Sequence, residues 1–132
     1  MIELLRKTKN DQVIVHACHV LAHTGAVEAL PAIKEVAARE LDGDLKVTAA
    51  ASILDLGDPA GFPLLIDVLE REEARLPRAD AKRLLKERTG LKTDYDADKE
   101  AGENRAAVAK LRTWWSQRGS SLKWRAEARR FE

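Results

Sequence analysis

The feature that most constrains the fold is a helical hairpin pattern between Leu45 and Leu69. Apolar residues recur at steps of three and four on both sides of a short break at Gly57, Asp58 and Pro59. Gly57 can adopt the left-handed conformation that ends a helix, Asp58 can cap the next helix, and Pro59 suits a first helical turn, which needs no amide donor. The stretch therefore predicts two helices joined by a tight turn.

The same pattern occurs earlier in the chain, at a shift of 32 positions. The matched positions are Ala17 with Ala49, Leu21 with Ile53, Gly25 with Gly57, Pro31 with Pro63, Ile33 with Leu65, Val36 with Val68 and Ala37 with Leu69. A further shift matches Ala81 and Leu85 with Ala49 and Ile53, but Gly90 falls one position late. Periods of this length are typical of helical repeats, whose units bury their apolar faces by stacking on one another.

These units predict one all-α domain, a short alpha-alpha superhelix with a capping helix and a short extended C-terminal tail. We expect a partial repeat at 1–9, repeat one at 10–41, repeat two at 42–75, a modified capping hairpin at 76–118 and a tail at 119–132. The expected helices outside repeat two are 11–24, 27–41, 78–88 and 104–118. In the tail, a small hairpin, an extended strand and another helical turn all remain open.

Three stretches carry a family resemblance. LGDPAGFPLLIDVL, ending at Leu69, resembles the HEAT repeat pattern, in which a first helix ends in Leu-Gly-Asp-Pro and a second opens with Pro and paired aliphatic residues. HTGAVEALPAIKEV, starting at His23, is similar and keeps Gly25. TGLKTDYDAD and NRAAVAKLRTWW, within Thr89 to Trp115, resemble an extension that closes many bacterial HEAT repeat proteins. The resemblance implies a HEAT-like helical solenoid.

Such solenoids bind partners through the ridge of their second helices. In the predicted register, the residues on that ridge are Glu35, Arg39, Asp67, Arg71 and Lys110. Their mixed charge suits a polar protein surface better than a phosphate backbone. We therefore expect a non-catalytic protein-interaction scaffold, either complete or a segment of a larger protein, that needs no cofactor and binds a protein partner.

Two groups of residues have the spacing of metal ligands. His16, His19 and His23 lie on one side of the first helix, where imidazoles one turn apart can bind zinc. No carboxylate follows them as in metal-hydrolase helices, so an exposed polar face is the preferred interpretation and no metal is expected. The chain also has no His-Glu pair, which argues against a resemblance to the HEAT repeat iron hydroxylases.

Asp94, Asp96 and Asp98 form the D-x-D-x-D start of a calcium loop. Lys99 replaces the glycine of the sharp turn, and Arg105 stands in place of the bidentate glutamate. The preferred prediction is a capping loop whose carboxylates meet helix N-termini and tryptophan N–H groups.

Charge is unevenly distributed along the chain, although the formal net charge is only +1. From Arg105 onward there are 8 basic and 2 acidic residues, which leaves a net charge of −5 for 1–104. With Trp114, Trp115 and Trp124, this basic segment suggests an alternative function as a nucleic-acid-binding module or an enzyme similar to HEAT-like alkylpurine DNA glycosylases. The tryptophans serve better as core and the acidic part repels phosphate, so nucleic acid is not the expected partner. A third resemblance, to phycobilisome lyase HEAT-like domains, implies chromophore handling but selects no residues.

The single cysteine, Cys18, excludes an intramolecular disulfide and fits a reducing compartment. We expect it to be a small half-buried residue. The first residues resemble neither a signal peptide nor a membrane anchor. A cytoplasmic location without membrane contact is the expectation.

Overall fold

The computed structural model describes residues 1–39 and 41–132. Its helices are α1 (Ile2–Lys7), α2 (Asp11–His23), α3 (Leu30–Ala37), α4 (Gly43–Asp55), α5 (Gly61–Arg71), α6 (Arg75–Thr89) and α7 (Arg105–Arg118). A two-stranded antiparallel sheet follows, formed by β1 (Trp124–Arg125) and β2 (Arg130–Phe131). Single 3₁₀ turns lie at Val27–Ala29, Ala101–Asn104 and Gly119–Ser121. The predicted all-α class is confirmed, and the tail takes the hairpin form among its three alternatives.

The predicted turn residues set the helix ends. Gly25, Gly57 and Gly90 follow α2, α4 and α6 with φ angles of 70°, 87° and 73°, a region that favours glycine. The Asp58 carboxylate accepts a hydrogen bond from the Ala60 amide at 2.8 Å. The Asp42 carboxylate accepts from the Leu45 amide at 3.1 Å and caps α4. Each repeat turn is therefore built from local backbone chemistry.

Several predicted boundaries are wrong by a turn. The second helix of repeat one ends at Ala37 rather than Leu41, and its first residues, Val27–Ala29, form a 3₁₀ turn. Helix α6 begins at Arg75 rather than at residue 78. Pro77 is tolerated there because the first turn of a helix has no intrahelical amide partners to lose.

Helix α4 separates two apolar cores. Its Leu45, Ala49 and Ile53 pack with α2, α3 and α1 in the N-terminal core. Its Val47 and Leu54, on the other side, pack with α5, α6 and α7 in the C-terminal core. Because α4 contributes to both cores, the two halves of the chain share one buried helix.

Positions that match across the repeat are buried alike. Ala17 and Ala49 are fully buried, as are Ile33 and Leu65. The next shift upstream places Leu5 of α1 on Ala37 and Leu69, and all three are buried. Helix α1 thus packs against α2 and α3 in the position that the end of a second helix would take.

The C-terminal segment closes on repeat two through aromatic rings. The Phe62 ring lies 5.5 Å from the Trp114 ring and 5.2 Å from the Phe131 ring, both in edge contacts. Phe131 pairs with Trp124 across the hairpin. Trp124 in turn covers Gly57, where an added Cβ would lie 3.1 Å from the indole Cδ1 atom. The tail is therefore packed against the turn between α4 and α5.

None of the described helices combines the length and the apolar character needed to cross a bilayer.

Candidate partner-binding surfaces

The predicted ridge residues lie outside the two cores but have partners within the chain. Arg6 of α1 donates to the Glu35 carboxylate at 3.2 Å, and Arg112 of α7 donates to the Asp67 carboxylate at 2.6 Å. Glu35 and Asp67 are related by the 32-residue shift. The same repeat position therefore links α3 to α1 and α5 to α7.

Arg39 has a structural role that the sequence prediction missed. Its guanidinium donates to the Thr8 carbonyl at 2.9 Å and to the Arg6 carbonyl at 2.7 Å. These carbonyls lie at the end of α1, where the last carbonyls of a helix lack intrahelical partners. Arg39 closes that helix end, so it is less available to a partner than its place on the ridge implies.

Arg71 and Lys110 are the most exposed members of the ridge. The Arg71 side chain is 79% exposed and, among the residues that the structure describes, has only its neighbour Glu70 within ion-pair range, at 3.7 Å. Lys110 binds Asp94 at 3.1 Å, and both side chains are at least 74% exposed. Exposed pairs of this kind contribute little to folding, so both cations are accessible to another molecule.

The three histidines line one wall of a groove between α2 and α4. His16, His19 and His23 are exposed and share this groove of about 550 Å³ with Asp55 and Arg129. Across 1–39 and 41–132, no three His, Cys, Asp or Glu side chains are placed to hold a metal ion together. The helical spacing thus puts the imidazoles on one face without completing a chelating set there.

Asp55, in the same groove, joins three elements. Its carboxylate lies 3.0 Å from Arg88 Nη2 of α6 and 3.2 Å from Arg129 Nη2 of the tail, and it is 17% exposed. Neither contact is aligned as a hydrogen bond, so the attraction is chiefly electrostatic. Arg129 is the one non-glycine residue with positive φ, 52°, in the described part of the chain. The tail turn is thereby tied to α4 and α6.

The acidic loop does not gather its carboxylates. Asp98 binds Arg75 at 2.6 Å, Asp94 binds Lys110, and Asp96 accepts a hydrogen bond from the Asp98 amide at 2.9 Å. The three aspartates therefore face different partners rather than a shared calcium ion. The expectation that these carboxylates meet tryptophan N–H groups is wrong, since lysine, arginine and backbone groups take that place.

Tyr95 anchors this loop. It is 1% exposed, and its hydroxyl donates to the Leu69 carbonyl at 2.6 Å and accepts from Arg78 at 3.3 Å. Arg78 also donates to the Lys99 carbonyl at 2.6 Å, and the Asn104 amide donates to the Asp96 carbonyl at 2.9 Å. The long loop between α6 and α7 is thus fixed at several points to helices on either side.

Much of the C-terminal positive charge is paired within the chain. The pairs are Lys110 with Asp94, Arg112 with Asp67 and Glu70, Arg125 with Glu132, and Arg129 with Asp55. The hydrogen bond with Asp67 raises the pKa of the Arg112 guanidinium above its ordinary value. Trp114, Trp115 and Trp124 are half-buried against the C-terminal core. Four of the eight basic residues from Arg105 onward are therefore paired within the described part of the chain.

A second basic surface, which sequence reasoning missed, lies between α6 and the start of the acidic loop. This α6 groove has a volume of about 510 Å³ and is lined by Ala79, Lys82, Arg83, Lys86, Leu91, Lys92, Thr93 and Ala97. Within the described residues, Lys82, Lys86 and Lys92 have no carboxylate within ion-pair range. The sequence feature that could have indicated this surface is the one-turn spacing of Lys82 and Lys86, just before a helix-ending glycine.

Cys18 is fully buried rather than half-buried. Burial raises the pKa of its thiol to about 11. The thiol is therefore protonated near neutral pH and enclosed, which suits packing and not nucleophilic chemistry.

Comparisons of this chain with protein-family models, with curated proteins and with solved structures give no match.

Proposed function

We propose that this chain is a non-catalytic protein-interaction scaffold built from HEAT-like repeats. The observation that carries the proposal is the arrangement of the second helices. Residues related by the 32-residue shift, Glu35 and Asp67, occupy equivalent surface positions on α3 and α5 and bind arginines of adjacent helices. A repeated surface of this kind is what a helical solenoid offers to a partner.

The HEAT-like assignment is supported by equivalent burial across the repeat. Leu5, Ala37 and Leu69 are buried at equivalent points of α1, α3 and α5. The turns at Gly25 and Gly57 have similar left-handed backbones after equivalent helices. These features favour stacked helical units with one recurring design.

The accessible part of the ridge is centred on Arg71 and Lys110. Both side chains are at least 74% exposed, and their partners are weakly held surface carboxylates. Acidic Glu70 and Asp94 lie beside them. This mixture of signs favours a protein surface of complementary charge over a phosphate backbone.

The alternative, a nucleic-acid-binding module or a glycosylase-type enzyme, gains no support from the C-terminal segment. Four of its eight basic residues lie within ion-pair range of carboxylates, and the rings of Trp114 and Trp115 pack around Phe62. A stacking platform for bases needs exposed rings.

We also propose a cytoplasmic location, supported by the enclosed thiol of Cys18.

The test is affinity capture from a lysate at low and at high salt, with and without nuclease treatment in parallel, using the intact chain and two matched variants. The ridge variant carries Arg71→Glu and Lys110→Glu, and the control carries Arg105→Glu and Lys123→Glu, which changes the net charge equally. Arg39 is not substituted, because the carbonyls at the end of α1 would lose the hydrogen bonds that its side chain donates. We expect one defined protein to be retained by the wild type and the control and lost by the ridge variant.

Retention of that protein by the ridge variant would remove the ridge from the proposal. Recovery of nucleic acid alone, lost as salt rises, would move the function to the basic C-terminal segment.

A further inference from the structure

We propose that the α6 groove binds an acidic peptide segment that carries one aliphatic side chain. The proposal shares with the preceding section only the premise that this chain binds proteins. Its surface is separate from the ridge, because the lining residues come from α6 and from Leu91, Lys92, Thr93 and Ala97.

Among the described residues, the three lysines of the groove have no carboxylate within ion-pair range. Lys82 and Lys86 lie one helical turn apart, a spacing at which like charges repel. The nearby carboxylates of Asp80 and Glu87 lie 3.5 Å and 3.2 Å from Arg83, which therefore binds the negative charge available on this helix. Lys92, from the loop that follows α6, adds a third cation to the lining. An acidic ligand would relieve a repulsion that the described part of the chain leaves in place.

The floor of the groove is aliphatic. Ala79, Leu91 and Ala97 are half-buried and line the groove together with the lysines. The methylene stems of the lysines extend this apolar surface while their ammonium groups stay in water. A leucine-sized side chain flanked by carboxylates therefore matches both the floor and the rim.

The groove is preformed. Thr89 Oγ1 accepts a hydrogen bond from the Leu91 amide at 3.1 Å, just after the left-handed turn at Gly90. Further along, Tyr95 and Asp98 fix the loop through Leu69 and Arg75. Because these contacts already order the loop, binding requires little additional ordering of it.

A peptide fits this site better than a nucleic acid strand does. The lining residues are aliphatic, polar or basic and include no aromatic ring on which a base could stack. Stacking supplies much of the affinity for single strands, and phosphate contacts alone would be sequence-independent and easily removed by salt. An aliphatic floor between cations instead selects a side chain together with its flanking charges.

The experiment is fluorescence anisotropy with the full chain and a short fluorescein-labelled peptide of glutamates with one central leucine. The groove variant carries Lys82→Glu, Lys86→Glu and Lys92→Glu. The control variant carries Arg105→Glu, Arg118→Glu and Lys123→Glu, exposed cations outside the groove, and changes the net charge equally. We expect the groove variant to bind about tenfold more weakly or worse, and the control to change less than about threefold.

The peptide itself supplies the second arm. Replacing its leucine with serine is expected to weaken binding about fivefold, since burial of the aliphatic side chain is lost. If the triple variant fails to fold by circular dichroism, the milder Lys86→Ala with Lys92→Ala variant must still weaken binding.

Three results would overturn the proposal. These are absence of peptide binding, equal weakening by the groove and control variants, and tighter binding of an oligodeoxythymidine probe that the groove variant abolishes. Failure of the ridge variants in lysate capture affects the proposed function alone, because none of the ridge residues lines the groove.

Discussion

The C-terminal segment and the α6 groove are both basic, but they use their positive charge differently. In the segment from Arg105 onward, Lys110, Arg112, Arg125 and Arg129 each lie within ion-pair range of a carboxylate. In the groove, Lys82, Lys86 and Lys92 line a surface that also includes aliphatic residues, and they have no such partners among the described residues. A run of charge in a sequence therefore does not identify where charge is free to bind.

The difference follows from the position of each region in the fold. The C-terminal segment packs beside α5, which carries Asp67 and Glu70, and beside the end of α4, which carries Asp55. Its cations therefore lie next to carboxylates in the folded chain. The groove lies on the outer face of α6, where Asp80 and Glu87 are already bound to Arg83. Arg112 and Arg129, whose carboxylate partners are the least exposed, help to hold the fold, whereas Lys82, Lys86 and Lys92 have no carboxylate partner among the described residues and are available to a ligand.

The largest change in stability is expected when the negative charge of Asp55, which both Arg88 and Arg129 approach, is removed. We expect Asp55→Asn to lower the free energy of unfolding by about 2 kcal/mol, because a mostly buried Arg88 loses its close charge partner. Its other carboxylate, Glu87, lies at 3.7 Å. Urea unfolding followed by tryptophan fluorescence measures the change. Glu127→Gln, in the exposed tail turn, is the control and should change stability by less than about 0.5 kcal/mol.

The attachment of the tail is tested at equivalent glycines of the two repeats. Gly57→Ala should cost about 1–2 kcal/mol, because the left-handed backbone disfavours alanine and the new Cβ meets Trp124. Gly25 also has a left-handed backbone, but an added Cβ there would meet no other atom. Gly25→Ala should therefore lower the free energy of unfolding by about 1 kcal/mol. Thermal unfolding of both variants gives the difference. Equal losses would show that Trp124 does not press on the turn.

A smaller loss of stability is expected when one partly exposed ion pair of the C-terminal segment is removed. Arg112→Ala should destabilise the chain by about 0.5–1 kcal/mol, because the Asp67 pair at 2.6 Å is only partly shielded from water. A double-mutant cycle with Asp67→Ala isolates the coupling between the two side chains. If the two substitutions have additive effects, Arg112 and Asp67 are not energetically coupled. Arg112 would then resemble the unpaired lysines of the groove, and the two basic regions would differ less than we expect.

The smallest effect is expected in the groove. Lys86→Ala should change stability by less than about 0.5 kcal/mol, and any change should be stabilising, because removing one of two like charges relieves repulsion. Denaturant unfolding at low and high salt checks this, with the repulsion weakening as salt rises. A loss comparable to that of Arg112→Ala would indicate that Lys86 has an internal partner.

The sequence predicts the helical hairpins because their signals are local. Gly57 ends α4 through its own backbone, and the Asp58 carboxylate accepts from the Ala60 amide in the turn, so the turn can be read from adjacent residues. The finer prediction is wrong, because α5 begins at Gly61, so Asp58 does not cap it and Pro59 lies before its first turn. Boundaries such as the start of α6 are harder, since Pro77 fits either before a helix or within its first turn.

The surfaces depend on contacts between distant residues, which a single sequence does not specify. Arg39 meets α1 and Asp67 meets α7 only after the helices have packed. Lys92 lines the same groove as Lys82 because the chain turns at Gly90 and the loop is held by Tyr95. Sequence reasoning predicted that the ridge side chains lie outside the core, but it could not show which charges would remain unpaired.

The most direct test of free charge in the α6 groove is amide chemical-shift mapping of the full chain during titration with the glutamate–leucine peptide. We expect the largest shifts at 79–86 and 91–97, with small changes from Arg105 onward. Shifts concentrated from Arg105 onward, or none at α6, would contradict the assignment of accessible positive charge to the groove.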